Sequence, residues 1–253
     1  MLATIVLDAY RYSERSEVAQ ALKDLLSPYN SWSTAGIYCF WDYDSKDPLY
    51  LGLAVDLHQR FLQHNSLLKA KPNACKSKQI KEYFQRHDRL GFSIMLQSNL
   101  SQPLTRKITK HYWDFWQKAD ADYKENFGAD GIKNIRLMEG VAIEAVKNHS
   151  GSLPPWNGMS GSLEGSARAT PGHIELVRLL TNRSVNDNVS RATLRELVAG
   201  DNTYGMFESF MHGLRISSLP LKEALEFNRR IGNEWLVEQL LTSNYLSKKL
   251  ALP

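Results

Sequence analysis

The polar residues with the clearest chemical potential lie between Gly36 and His64. Arg60 and His64 are four residues apart, so on a helix both side chains project from one face. Tyr38 and Tyr50 precede them in two short aromatic runs. Hydrolysis of a phosphodiester needs a group that activates water, a cation on the phosphate and a stabiliser of the departing oxygen. Tyrosine, histidine and arginine can supply the first two.

The elements that must position these residues are a hairpin and a helix. Residues 36–43 and 48–54 are short, β-prone runs joined by the sequence DSKD, which predicts an antiparallel hairpin. A helix is predicted over 56–64, with Asp56 as its N-cap. If the hairpin packs beside that helix, both tyrosines lie near the arginine and the histidine.

A metal-ligating carboxylate would have to come from elsewhere in the chain. Mg²⁺ prefers oxygen ligands and keeps several of its waters. Residues 133–149 have a helical pattern, with Ile135, Met138, Ala142 and Val146 on one apolar stripe. This predicted helix also carries two glutamates.

The spacing of these groups resembles that of the GIY-YIG nuclease family. In that family a GIY triplet and a YIG triplet precede a helix that reads NL-x-x-R-x-x-x-H. Here eleven residues separate the two triplets. The matching residues are Gly36-Ile37-Tyr38, Tyr50-Leu51-Gly52, Asp56-Leu57, Arg60 and His64.

Two further family motifs follow in the same order. The family has a helix reading E-x-x-L-I and a downstream P-x-x-N, and this chain has EGVAI at 139–143 and PPWN at 154–157. The chain departs from the pattern at Leu51, where the family has isoleucine, at Ala54, where serine or threonine is usual, and at Asp56, where asparagine is common. None of these changes removes a catalytic group.

The resemblance implies a role for each matching residue. Tyr38 would be the general base or would position the attacking water. Tyr50 and His64 would assist in hydrogen bonding and proton transfer. Arg60 would hold the scissile phosphate, because a guanidinium fork matches phosphate geometry. Glu139 would bind a single Mg²⁺ or Mn²⁺ that stabilises the leaving oxygen.

The second half of the motif set contains Asn157 and, close to Glu139, a second glutamate, Glu144. By the resemblance, Asn157 would orient groups near the metal or the water. Glu144 lies about one turn beyond Glu139 on the same predicted helix. The sequence therefore leaves open which glutamate is the metal ligand.

Positive charge is concentrated directly after the first motifs. Residues 65–111 contain ten Lys or Arg against two acidic residues. Phosphate contacts supply most of the non-specific affinity for nucleic acids, so this run predicts a phosphate-binding surface, with a solvated face as the alternative. The candidate contacts are Lys69, Lys71, Lys76, Lys78 and Lys81.

The overall composition is that of a globular protein, with 43% hydrophobic and 23% charged residues. The two cysteines, Cys39 and Cys75, lie in no CxxC or Cys/His cluster, so neither a zinc finger nor a disulfide framework is expected. A reducing, cytoplasmic location fits this cysteine usage. No run of about 18 apolar residues is present, so no membrane partner is expected.

The predicted fold class is α+β. The resemblance implies a small, mainly antiparallel three-stranded sheet flanked by helices, and residues 90–98 are the candidate for its third strand. Residues 149–172 are rich in Gly, Ser and Pro, and the sequence beyond them has helical patterns throughout. The predicted domains are a nuclease domain over 1–158 with an N-terminal extension and a basic insertion, a linker over 159–172 and an all-helical domain over 173–253.

The sequence thus predicts a metal-dependent endonuclease with double-stranded DNA as its partner, and the added helical region favours restriction or phage defence by analogy. Two alternatives remain: a nucleic-acid-binding module that does not cleave, and an RNA-cleaving or DNA-repair nuclease of the same family. A homodimer would suit double-strand cleavage, because one metal site cuts one strand at a time.

Overall fold

A computed structural model describes residues 4–26, 34–70, 75–96, 131–200, 203–216 and 219–253. Its centre is one antiparallel sheet of four strands in the order β1-β4-β2-β3. The strands are rich in β-branched and aromatic residues. They are β1 (Thr4–Tyr10), β2 (Gly36–Asp42), β3 (Pro48–Ala54) and β4 (Leu90–Leu96). Both β1 and β4 are buried along their whole length.

The predicted three-stranded sheet is therefore wrong in its number of strands. The N-terminal segment is counted as an extension of the predicted domain, although its run ATIVLDAY over 3–10 has the pattern of a strand. It pairs with β4 along its whole length, from Thr4 opposite Leu96 to Tyr10 opposite Leu90. All seven residues of β1 are buried. A strand with this much apolar surface is stable only inside a sheet whose two faces are both covered. The α+β class and the antiparallel hairpin β2–β3 agree with the prediction.

Helices cover both faces of the sheet. Asp56 caps α2 as predicted, since its carboxylate accepts the backbone N–H of Gln59 at 2.9 Å. In the part of the chain that the structure describes, no helix combines the length and apolar character needed to cross a bilayer. The helices are α1 (Arg15–Leu25), α2 (Leu57–His64), α3 (Ser77–Tyr83), α4 (Gly131–Ser150), α5 (Leu163–Ala167), α6 (Ile174–Leu180), α7 (Leu194–Leu197), α8 (Thr203–Ile216), α9 (Leu221–Asn228) and α10 (Glu234–Thr242).

Two hydrophobic clusters fill the space on either side of the sheet. One contains Phe40, Phe61 and Phe92, with the rings of Phe61 and Phe92 4.8 Å apart, and it extends to the C-terminal helices through Phe207. The other joins the opposite face of the sheet to α4 and α6, for example through Ile143. The C-terminal helices thus share a core with the sheet, and the predicted domain boundaries remain a prediction.

The outer edge of β1 is covered by an extended segment from the C-terminal half. Ile5 donates its backbone N–H to the carbonyl of Asn188 and accepts from Ser190, both at 2.8 Å. Next to this pairing, the guanidinium of Arg195 contacts the fully buried carboxylate of Asp8 at 2.9 Å. Covering an edge in this way removes unpaired backbone groups that would otherwise be exposed.

Candidate active site

Tyr38 and Tyr50 come close to each other because Gly52 leaves space between their side chains. Tyr38 on β2 lies opposite Gly52 on β3. A Cβ at Gly52 would lie 2.7 Å from Tyr38 Oη and 2.8 Å from a ring carbon of Tyr50. The other motif glycine, Gly36, faces the β4 backbone, and a Cβ there would lie 2.1 Å from the carbonyl oxygen of Met95. Both glycines thus permit close approach rather than unusual backbone angles.

Helix α2 brings Arg60 and His64 to the hydroxyl of Tyr38. Arg60 Nε donates to Tyr38 Oη at 3.1 Å, and His64 Nε2 lies 2.8 Å from the same oxygen. The ring of Tyr50 lies 5.6 Å from the ring of His64 and 5.7 Å from that of Tyr38. The hairpin packs beside the helix, and this packing brings four of the sequence-derived site residues together.

The hydrogen bonds of His64 determine its tautomer. His64 is fully buried, and its Nδ1 accepts the backbone N–H of Lys76 at 2.8 Å. The proton of a neutral ring must then lie on Nε2, which donates to Tyr38. Burial, with smaller effects from Arg60 and Lys76, lowers the pKa of His64 to about 3. At neutral pH the imidazole is therefore an uncharged donor with both nitrogens occupied.

The Tyr38 hydroxyl accepts these two hydrogen bonds and keeps its own proton. Burial raises the pKa of Tyr38 well above the usual value, the neighbouring Tyr50 raises it further, and Arg60 partly opposes the rise. Tyr38 is thus a neutral phenol in the absence of substrate. The hydroxyl of Tyr50 interacts with both Tyr38 and Arg60. Two donors on one phenol oxygen would stabilise the phenolate after proton loss.

Glu139 lies on the side of α4 that faces this group. Its carboxylate accepts the backbone N–H of Leu53 and feels the charges of Arg136 and Arg60. Burial outweighs these effects and raises the pKa of Glu139 above its usual value. Glu139 is therefore held at the end of β3, within electrostatic range of Arg60.

Glu144 lies in a different environment. Its Oε1 is 3.3 Å from the ammonium of Lys147 in an ion pair on α4. Five residues of helix rotate a side chain by about 140° relative to Glu139. Of the two candidate ligands, Glu139 is thus the one coupled to Arg60.

A single carboxylate at this position fits a hard cation. Within the described ranges, no group of three or more His, Cys, Asp or Glu side chains is arranged to hold a metal. Mg²⁺ often takes only one or two protein carboxylates and completes its shell with water and substrate phosphates. The Leu53 N–H occupies one lone pair of Glu139, which leaves others available to a metal.

The segment predicted as a linker packs beside Glu139. A Cβ at Gly140 would lie 2.5 Å from the carbonyl oxygen of Ser162, and one at Gly165 would lie 2.4 Å from that of Leu137. These two glycines allow α5 to pack closely on α4. The backbone of Gly161, with a positive φ of 73°, passes near Glu139 Oε2. Sequence reasoning missed this packing, although the glycine in the middle of α4 was a usable signal.

Asn157 contacts the sheet backbone. Its Oδ1 accepts the N–H of Leu51 at 2.9 Å, and its Nδ2 donates to the carbonyl of Leu51 at 2.8 Å. The neighbouring Trp156 donates its N–H to the carbonyl of Leu49 at 2.9 Å. The PPWN segment thus pairs with the free edge of β3 and supports the strand that carries Tyr50. The catalytic role predicted for Asn157 remains a prediction.

The predicted nucleic-acid contacts are distributed around α2 and α3. Lys69, Lys76 and Lys78 line a cavity of about 760 Å³ between these helices, whereas Lys81 is exposed on α3 outside its lining. Lys71 and the part of the basic run over 97–111 lie outside the described residues. Sequence reasoning did not single out Gln63, which lines the same cavity and accepts a hydrogen bond from Arg60 Nη1 at 3.1 Å. The i, i+3 spacing of Arg60 and Gln63 on α2 was the sequence signal that could have identified this contact.

Comparisons of the chain with protein-family models, with curated proteins and with solved structures give no match. The resemblance to the GIY-YIG nucleases remains a prediction from the sequence motifs.

Proposed function

We propose that this chain is a metal-dependent endonuclease of the GIY-YIG type that hydrolyses phosphodiester bonds in double-stranded DNA. The observation that carries the proposal is the shared Tyr38 oxygen, which Arg60 Nε and His64 Nε2 both contact, at 3.1 Å and 2.8 Å. Tyr50 and Glu139 lie beside this group. Residues of these types, drawn from two strands and two helices, provide what phosphodiester hydrolysis requires.

Arg60 binds the scissile phosphate in this proposal. Its Nε is used by Tyr38, one Nη1 hydrogen by Gln63, and the Tyr50 hydroxyl also interacts with the guanidinium. The N–H groups that these contacts leave can bind phosphate oxygens. These two fixed contacts orient the cation before the substrate arrives. A pre-oriented charge stabilises the transition state without reorganisation.

Tyr38 acts as the general base after its own proton has been transferred, by way of the Tyr50 hydroxyl, to solvent water. The attacking water then transfers a proton to the phenolate oxygen while its oxygen attacks phosphorus and the bond to the 3′ oxygen breaks. Arg60 and His64 stabilise the phenolate by hydrogen bonds. In this scheme His64 is a positioning residue that donates to Tyr38.

Glu139 would hold the metal. Mg²⁺ or Mn²⁺ bound there would stabilise the negative charge on the departing 3′ oxygen. The backbone N–H of Leu53 fixes the orientation of the carboxylate.

The biological role proposed is restriction or phage defence, which rests on analogy with family members that carry additional helical regions. The lysines around α2 and α3 support a polyanionic partner. A dimer would allow both strands of a duplex to be cut.

The test is a cleavage assay on supercoiled plasmid, linear duplex, single-stranded DNA and RNA, with Mg²⁺, Mn²⁺ or EDTA. We expect cation-dependent cleavage of the duplex that Arg60→Ala and Glu139→Gln abolish while DNA binding persists. Glu144→Gln is the matched control, because Glu144 is on the same helix but paired with Lys147, and it should cleave as the wild type does.

The products of the assay distinguish the alternative functions. Discrete products indicate a site-specific enzyme, and a smear indicates a non-specific one. Cleavage of RNA alone would replace the proposed substrate. DNA binding without cleavage under any of these conditions would overturn the proposal in favour of a binding module.

A further inference from the structure

The cavity between α2 and α3 opens next to the candidate active site. Gln63 and Lys76 belong to its lining and both also contact site residues. Gln63 accepts from the guanidinium of Arg60, and Lys76 donates its backbone N–H to His64. The volume of about 760 Å³ lies in the range of small-molecule sites and is sufficient for a nucleotide unit.

Lys76 presents its ammonium toward Tyr50. The Nζ atom lies 5.1 Å from the centroid of the Tyr50 ring. In the described segments, no carboxylate lies within 4 Å of this ammonium. Lys78, by contrast, lies 3.8 Å from Glu82. Among the described residues, Lys76 is therefore a cation near Tyr50 and His64 with no carboxylate in ion-pair range, which favours binding of an anion.

We propose that this cavity is a second phosphate subsite, in which Lys76 binds the phosphodiester next to the scissile one in the same strand. The proposal rests on the proposed function, because Arg60 must hold the scissile phosphate. Gln63 connects the two positions: it lines the cavity and orients the Arg60 guanidinium. Because Gln63 joins Arg60 to the cavity lining, we expect a strand held at Arg60 to have a neighbouring phosphate on the cavity side.

The side chain and the backbone of Lys76 have separable functions. The N–H that fixes His64 is retained in every substitution except proline, so Lys76→Met removes the charge and keeps the tautomer of His64. Lys81→Met is the matched control, since Lys81 lies on α3 but outside the cavity lining. Comparison of the two variants shows whether the effect requires loss of a charge in the cavity lining.

The experiment uses duplex oligonucleotides in which single phosphates are replaced, one position at a time, by uncharged methylphosphonates. For the wild type, we expect a neutral group next to the scissile phosphate to lower kcat/KM about tenfold, as for the loss of one charge-assisted hydrogen bond. Lys76→Met should cleave the unmodified duplex about tenfold more slowly than the wild type. A methylphosphonate next to the scissile phosphate should lower the rate of this variant little further. Lys81→Met should keep the wild-type sensitivity there.

Two results would overturn the subsite: a wild type insensitive to every flanking methylphosphonate, or Lys76→Met as sensitive as the wild type. Equilibrium binding of the same duplexes in EDTA, followed by fluorescence anisotropy, distinguishes this failure from failure of the proposed function. If nothing cleaves, the nuclease proposal fails. In the binding experiment, the subsite predicts that a methylphosphonate at one position weakens binding of the wild type but not of Lys76→Met. If that methylphosphonate weakens binding of both proteins equally, the subsite is rejected.

Discussion

The backbone N–H of Lys76 donates to Nδ1 of His64 at 2.8 Å. This bond determines which nitrogen of the buried imidazole carries the proton. Because Nδ1 is an acceptor, Nε2 must donate, and its partner is the hydroxyl of Tyr38. His64 is thereby held as a hydrogen-bond donor to Tyr38.

The buried neutral state of His64 predicts a pH dependence of stability. Its pKa is about 3 in the folded chain and 6.5 when exposed. Between these values the unfolded chain binds the additional proton, so the free energy of unfolding rises with pH. The contribution is complete above the unfolded pKa and is lost as the pH falls toward the folded one. The slope from this group reaches about 1.4 kcal/mol per pH unit.

Urea unfolding between about pH 4 and pH 7 measures this slope. We expect His64→Gln to have a shallower dependence than the wild type, whatever its absolute stability. Lys76→Ala keeps the backbone N–H and should retain most of the slope. An unchanged slope in His64→Gln would contradict a neutral buried imidazole.

Gly52→Ala is expected to separate the two tyrosines. The new Cβ would lie within 2.8 Å of atoms of both rings, so one tyrosine must move. Overpacking of this kind costs about 1–3 kcal/mol, and displacement of the Tyr38 oxygen from Arg60 and His64 should reduce cleavage at least about a hundredfold. Thermal unfolding and plasmid nicking measure the two effects.

Gly158→Ala serves as the control for this substitution. A Cβ at Gly158 has no neighbour within 4 Å, so both stability and cleavage should stay close to those of the wild type. Full activity in Gly52→Ala would show that the close approach of the tyrosines is not required.

Asn157→Asp is expected to loosen the edge of β3. The substitution removes the donor to the carbonyl of Leu51 and places a negative charge beside it. Loss of a partly buried hydrogen bond with an unpaired partner costs about 1–3 kcal/mol. We expect lower stability and faster amide hydrogen exchange at Leu51. A large fall in kcat with unchanged stability and exchange would instead indicate a direct catalytic role.

The local part of the site was predictable from the sequence. The β-prone runs, the Asp56 cap and the four-residue spacing of Arg60 and His64 all follow from short-range geometry. A hairpin and the helix that follows it can pack in few ways, so the meeting of Tyr38 with Arg60 and His64 was also within reach. The structure explains the glycine of the second motif, because a side chain at Gly52 would collide with Tyr38 and Tyr50.

Tertiary structure decided the remainder. The fourth strand depends on pairing Thr4 with Leu96, and no local pattern specifies a partner so far along the chain. The contact of Glu139 with Leu53, and the ion pair of Glu144 with Lys147, depend on how α4 is rotated against β3. The hydrogen bonds of Asn157 depend on which strand edge it reaches.

The sequence by itself therefore determined which residue types stand at which spacing, because helix and strand periodicity are short-range properties. The folded chain determined which hydrogen bonds those residues make. A backbone N–H from the turn before α3 assigns the tautomer of His64, and burial sets its pKa. Both depend on contacts between elements, which no single segment of the sequence contains.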